Sequence, residues 1–313
     1  MDNTFAIDVK KGLESDPKFL SSKYFYDSVG DELFIKIMQL PEYYLTDCEL
    51  EIFQQQSDKI IEAFNIVNQS FEIYELGAGD GTKTIELLKE IGRKDFKYIP
   101  IDISSNALQT LSVKIKEELP ELQFDGRQGE YFEILNTLEG TEKKIILFLG
   151  SNIGNLNDKE ARSFICNIAS KMNNGDMFFL GVDLKKNKNI IMPAYNDDKG
   201  ITRDFNLNLL ERINRELGGT FDIKNFTHRP EYDEEAGIAY SYLQSEKDQD
   251  VYIEELDNSF GFKKGEKIHT EISRKYDEQI LQKIITGSGL KLNKLFYDSR
   301  KYFCNALFEK KIT

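Results

Sequence analysis

Phe71-Glu72-Ile73-Tyr74-Glu75-Leu76-Gly77-Ala78-Gly79-Asp80-Gly81 reads as a short apolar strand running without a break into a glycine-rich turn. Ile85, Leu88 and Ile91 follow at helical spacing, and Gly92 is a natural C-terminal stop. Outward from this unit the same rhythm repeats. Tyr98–Ile103 is a second strand, and Ser104 or Ser105 caps a helix carrying Leu108, Leu111 and Ile115. Leu122–Phe124 is a weaker third strand. Ile145–Leu149 and Met177–Val182 are continuous apolar runs, as expected of strands covered on both faces. Strands separated by helices imply a parallel sheet with right-handed crossovers. Leu290–Tyr297 and Tyr302–Phe308 have only a short link between them, so the sheet should end in an antiparallel hairpin.

Residues 186–274 break this rhythm. Phe205, Leu209, Ile213 and Leu217 mark an amphipathic helix stopped by Gly218-Gly219, and strand-like pieces follow at Ile238–Leu243, Val251–Leu256 and Lys267–Ser273. Residues 1–49 read as short helices and turns. The expectation is an α/β domain over 50–185 and 275–313, with 1–49 and 186–274 forming a second, α+β domain that covers the sheet's C-terminal edge as a lid.

Charge and composition narrow the function. Lys and Arg total 41 against 54 Asp and Glu, a net charge of −13 that argues against nucleic acid or an anionic membrane as main partner. The longest apolar runs are too short to span a bilayer, and the N-terminus lacks the charged-then-apolar pattern of a signal peptide. Cys48, Cys166 and Cys304 are too few and too scattered for a disulfide framework, which fits a reducing cytoplasm. With only His228 and His269, His-rich metal sites are nearly excluded. The expectations are a cytoplasmic monomer, a small-molecule substrate and no metal.

The spacing of the glycines discriminates among nucleotide-like ligands. A dinucleotide fingerprint needs its last glycine three residues after the second, whereas Gly79 and Gly81 are two apart; a P-loop needs Gly-Lys-Ser/Thr, and Thr82 separates Gly81 from Lys83. What remains is the acidic-x-Gly-x-Gly-x-Gly pattern of S-adenosylmethionine (SAM) binders. Asp102, at the end of the second strand, is placed to accept hydrogen bonds from both ribose hydroxyls. Lys83 reads equally as a cofactor contact or as solvated surface.

Tyr24-Phe25-Tyr26-Asp27, Leu33-Phe34, Leu40-Pro41-Glu42-Tyr43-Tyr44, Glu75-Leu76-Gly77-Ala78-Gly79, Ile99-Pro100-Ile101-Asp102, Phe148-Leu149-Gly150-Ser151-Asn152-Ile153-Gly154-Asn155, Tyr195-Asn196-Asp197-Asp198, Asn214-Arg215-Glu216-Leu217 and Thr270-Glu271-Ile272-Ser273 occur in one order. In these motifs, from about residue 20 to the C-terminus, the chain resembles the histidine Nα-methyltransferases of ergothioneine biosynthesis. Members of that family trimethylate the α-amine of L-histidine to hercynine on a Rossmann-like methyltransferase fold. The resemblance implies that Asn155 and Tyr195 hold the substrate carboxylate and Asn155 also lies near the amine. It places Tyr26 beside the reacting nitrogen and gives the imidazole to Glu271 and Ser273. Gly77, Lys83 and Asp102 contact SAM, with Tyr43 closing over it.

The residues themselves allow other readings. Glu271 and Ser273 share one strand face with His269, but so do Lys267 and Lys275, as on a solvated face. Asn155 follows the buried strand at its C-terminal end, where open α/β sheets bind ligands, yet an asparagine also suits a plain turn. Two positions depart from the family. Gly129-Glu130-Tyr131 stands where Gly-Asp-Phe is usual, so the adenine contact is assigned to Glu130 and Tyr131. Ser241, which by resemblance lines the side-chain pocket, stands where the histidine enzymes tend to carry methionine. The smaller residue leaves another amino acid, such as a tryptophan derivative, as the alternative substrate.

Overall fold

The computed structural model describes residues 4–66, 69–92, 96–130, 134 and 140–312. The chain opens with helices α1 (Thr4–Glu14), α2 (Ser28–Met38) and α3 (Tyr44–Phe64). There follow β1 (Phe71–Leu76), α4 (Thr82–Glu90), β2 (Phe96–Asp102), α5 (Ser105–Glu118), β3 (Gln123–Phe124), β4 (Arg127–Gln128) and β5 (Lys143–Phe148). Next come α6 (Asp158–Ser170), β6 (Met177–Asp183), α7 (Lys188–Tyr195) and α8 (Ile201–Leu217). Strands β7 (Phe226–Asp233), β8 (Ile238–Ser245), β9 (Gln249–Ile253), β10 (Asn258–Phe262) and β11 (Lys267–Arg274) precede α9 (Glu278–Ile285), β12 (Leu290–Tyr297) and β13 (Phe303–Lys310). The chain divides into two compact units, Met1–Tyr44 with Lys186–Ser273, and Leu45–Lys185 with Arg274–Thr313.

The second unit is built on one sheet of order β12-β13-β6-β5-β1-β2-β3, with β4 also on β2. The pairs from β6 to β3 are parallel; β13 runs antiparallel to both β6 and β12. This is the mostly parallel, Rossmann-like sheet with a C-terminal antiparallel hairpin that the strand pattern implies. Every residue of β6 is buried, as its unbroken apolar run requires. One face packs Ile146, Phe148, Phe178 and Leu180 against Phe164, Ile165 and Ile168 of α6 and Ile284 of α9. Each such side chain contributes about 1.5–3 kcal/mol on burial. Ser104 caps α5 through the Ala107 N–H, and Gly92 takes a left-handed conformation just past α4.

The first unit packs α8 on a three-stranded sheet of order β11-β8-β7, with β9 and β10 forming a separate hairpin. Phe205, Leu209, Ile213 and Leu217 of α8 join Phe5, Val9 and Leu13 of α1 and Leu243 and Ile268 of the sheet in one core. Gly218 ends α8 at φ 65°. Pro230 is tolerated in β7 because β7 is an edge strand.

Several elements differ from the sequence expectation. Tyr44–Phe64 is one 21-residue helix rather than the end of an irregular N-terminal segment. Strands β7 and β10 are additional, and the run at Val251–Leu256 turns into a 3-10 helix at Glu254–Leu256. The third parallel strand is only Gln123–Phe124, supplemented by β4.

His228 lies on the buried side of β7, and neither ring nitrogen has a hydrogen-bond partner among the described residues. Burial pushes its pKa down to about 4, against a smaller opposing influence of Asp197 and a small reinforcing one of Arg203. A pKa below that of the unfolded chain means the folded state resists protonation. The contribution is therefore complete above pH 6.5 and is lost as pH falls toward 4. The shift corresponds to about 3 kcal/mol. Urea denaturation at pH 7.5 and pH 5 should show this loss, and His228→Gln should flatten the dependence.

Candidate active site

In the second unit the candidates gather at the C-terminal ends of β1, β2 and β5. Gly77, at φ 72°, leaves β1 with its N–H on the Ile101 carbonyl at 2.8 Å. Gly79, at φ 55°, donates its N–H to Asp102 Oδ2 at 2.9 Å, and a Cβ there would meet no atom within 4 Å. A glycine at 79 is thus demanded by the left-handed backbone and leaves the loop open to a ligand's close approach. The Ser104 N–H holds the other carboxylate oxygen of Asp102 at 2.9 Å. Burial raises the Asp102 pKa, and these backbone N–H groups offset only part of that rise.

The acidic residue of the glycine pattern has a different task. Glu75 is buried, accepts from Thr84 Oγ1 at 2.6 Å and from Tyr98 Oη, and so ties β1 to α4 and β2. Desolvation raises its pKa to about 7 despite those donors. Lys83 is bonded to Glu49, whose fully buried carboxylate also accepts from the Gly150 N–H at 2.9 Å and Asn305 Nδ2 at 2.8 Å. A Cβ at 181 would lie 2.3 Å from Glu49 Oε1, so Gly181 makes room for this carboxylate. Sequence reasoning missed Glu49, although it stands in an apolar stripe with Leu45, Cys48, Ile52 and Phe53, all buried.

Asn155 closes a 3-10 turn, Asn152–Asn155, beyond β5. The turn is fixed by Ser151, in a left-handed conformation, whose Oγ accepts the Asp183 N–H at 2.9 Å, and by Tyr276 Oη on the Ile153 carbonyl at 3.2 Å. Glu130 follows β4 on the surface, and the neighbouring Gly129 N–H bonds the Asp102 carbonyl at 3.1 Å. Tyr131 lies outside the described residues.

The first unit carries the remaining candidates. Tyr195, the last residue of α7, donates from Oη to Ser273 Oγ at 2.7 Å, and both are buried. Two residues 78 positions apart are thereby brought together. Alternation along β11 sets Glu271 with His269 and Lys267, the half-buried set facing Tyr240 and Tyr242. Ser241 belongs to the buried set of β8 with Leu243, and its carbonyl accepts from Thr270 Oγ1 at 3.0 Å. Ser241 and Glu271 therefore sit on alternate faces of this sheet. Tyr26 packs edge-on against Phe34 and Phe205, and Tyr43 edge-on against Phe34.

A glycine loop with an open α-carbon and a carboxylate locked at the next strand's end fit the backbone and ribose of an adenosyl cofactor. Among the described residues there is no cluster of His, Cys, Asp and Glu able to hold a metal, and no helix long and apolar enough to cross a membrane.

Comparison with known proteins adds the chemistry. The profile of the family described as "Histidine-specific methyltransferase, SAM-dependent" matches residues 5–310. The histidine N-alpha-methyltransferase of Mycolicibacterium smegmatis is 33% identical over 286 residues, 91% of this chain and 88% of that one. Its Mycobacterium tuberculosis counterpart is 33% identical over 285 residues, 90% and 88% of the two chains. An L-tryptophan methyltransferase of Psilocybe serbica is 25% identical, over 95% of this chain and 90% of that one.

Proposed function

The chain belongs to the SAM-dependent, histidine-specific methyltransferase family, and from that premise we propose that it methylates the α-amine of L-histidine three times to give hercynine. It is a SAM-dependent amino-acid N-methyltransferase. What carries the histidine assignment is the match to two histidine N-alpha-methyltransferases across nearly the whole of both chains. The Tyr195–Ser273 hydrogen bond supports it locally, because it joins a residue assigned to the carboxylate with one assigned to the imidazole.

When bound, SAM supplies an electrophilic methyl group on a sulfonium. The protein's residues align and deprotonate. Asp102 would receive the ribose hydroxyls, Gly77 and Gly79 would let the backbone approach, and Lys83, held by Glu49, would contact the cofactor. By the family resemblance the adenine is assigned to Glu130 and Tyr131, and Tyr43 is a further cofactor residue. Asn155 and Tyr195 grip the substrate's carboxylate, while Glu271 and Ser273 pair with its imidazole nitrogens. An ordinary α-amine titrates at about 8, so a neutral nucleophile costs little near neutral pH. Tyr26 Oη, directly or through water, relays the proton lost from the amine in each round, passing its own proton on to solvent as it accepts the amine's. The rate would come chiefly from presenting the nitrogen in line with the methyl carbon.

A second reading, in which a bulkier amino acid such as a tryptophan derivative is preferred, is supported by the 25% identity to an L-tryptophan methyltransferase; Ser241, on the sheet face opposite Glu271, lends it no support. Incubation with SAM and each standard amino acid, followed by mass spectrometry, separates the two. Histidine should gain one, two and then three methyls. Methylation of tryptophan with histidine left untouched would reject the histidine assignment and leave the methyltransferase standing.

A further inference from the structure

The segment Tyr24-Phe25-Tyr26-Asp27 is held from one side by a single face of α8. Phe205, Asn208, Arg212 and Arg215 recur at helical spacing, and each touches this segment. Phe205 packs on the rings of Phe25 at 4.7 Å and Tyr26 at 5.8 Å. Asn208 Nδ2 donates to Asp27 Oδ1 at 2.9 Å, and Arg215 Nη2 donates to Asp27 Oδ2. Arg212 Nη1 donates to the Tyr24 carbonyl at 3.0 Å, and its guanidinium lies over the Tyr24 ring.

Asp27 also caps α2 through the Gly30 N–H at 2.7 Å. A Cβ at position 30 would lie 1.7 Å from the Phe25 carbonyl oxygen, so Gly30 lets the segment lie flat on α2. Burial alone would raise the Asp27 pKa, but the Gly30 N–H, Asn208 and Arg215 together lower it, keeping it charged. The segment is therefore gripped on both sides of Tyr26, by groups none of which is itself a candidate to touch substrate.

We propose that Asp27, Asn208 and Arg215 are positioning residues that fix Tyr26 for proton removal, with Arg215 as the outer bolt. The proposal rests on the role given to Tyr26 above. Arg215 is half-exposed, and the nearly buried Asp27 keeps the Gly30 N–H and Asn208 when Arg215 is removed, so the pairing adds little to stability, about 1 kcal/mol. Its worth lies in geometry, because small misplacements near a reacting atom cost roughly ten- to a hundredfold in rate.

The test is steady-state kinetics with L-histidine, SAM titration calorimetry and thermal melts on Arg215→Ala, Arg215→Lys, Tyr26→Phe and the double variant Tyr26→Phe/Arg215→Ala. Arg215→Ala should lower kcat about tenfold with SAM affinity and Tm nearly unchanged, and Arg215→Lys should recover part of it. In the Tyr26→Phe background, Arg215→Ala should change kcat by less than about twofold, since the two substitutions remove one device. If Tyr26→Phe slows the enzyme but Arg215→Ala does not, or if their effects multiply, the bolt is refuted and the function stands. A kcat loss that merely tracks a fall in Tm refutes it equally. If Tyr26→Phe leaves kcat intact, both the role of Tyr26 and the bolt fall.

Discussion

Asp102→Ala should weaken SAM binding by about a hundredfold or more, the largest loss expected of any single cofactor-site substitution. The Gly79 N–H donates to Oδ2 and the Ser104 N–H to Oδ1, and the Ile103 N–H also donates to this carboxylate, so the two ribose hydroxyls would share the acceptor capacity that remains. Hydrogen bonds to a charged acceptor contribute about 1.5–3 kcal/mol each, so losing both removes about 3–6 kcal/mol, or more than two orders of magnitude in Kd. The loss is compounded because Asp102 is also the strut that sets the Gly79 backbone. Asp102→Asn is no rescue: its amide group turns a donor toward backbone N–H donors. Calorimetric titration reads the affinity, and circular dichroism confirms the fold. A Kd within threefold of the unsubstituted protein would remove Asp102 from the cofactor site. Because burial raises the Asp102 pKa, binding should also weaken earlier on acidification than an exposed aspartate would allow.

Asp102 was readable from sequence because an apolar run places it at a strand end one crossover after the glycines. The central sheet was legible for the same reason: β1, β5 and β6 are covered on both faces, and burial writes itself as unbroken apolar runs. The missed strands lack that signature. Phe226–Asp233 is an edge strand whose exposed positions carry Arg229, Glu231 and Asp233, and Asn258–Phe262 contains Ser259 and Gly261. Neither shows an apolar run. The Asp27–Arg215 pairing spans 188 residues, and no spacing rule reaches that far. Glu49 did carry a signal, a carboxylate inside the apolar stripe of an amphipathic helix. Reading residues 1–49 as short helices and turns cut this helix at its first turn and concealed the stripe.

Lys275→Met should lower stability by about 3–5 kcal/mol, the usual effect of removing one member of a buried ion pair. Lys275 Nζ lies 2.7 Å from Asp183 Oδ2, and both side chains are fully buried. The Asp183 backbone is equally committed: its N–H reaches Ser151 Oγ at 2.9 Å and its carbonyl accepts the Tyr276 N–H at 2.8 Å. The carboxylate therefore has no route to water without unzipping the end of β6. Against a total of about 5–15 kcal/mol, that loss consumes much of the margin. It should appear as a fall in Tm of roughly 10 °C. The pair itself contributes far less than breaking it costs, because desolvation offsets most of the attraction. The double variant Lys275→Met/Asp183→Leu should consequently recover most of the lost stability, and melts of the two variants side by side measure the difference. If Lys275→Met alone melts within about 2 °C of the unsubstituted protein, Asp183 is solvated and the pair is not buried as described. If only the double variant unfolds, Asp183 serves through its hydrogen bonds rather than its charge.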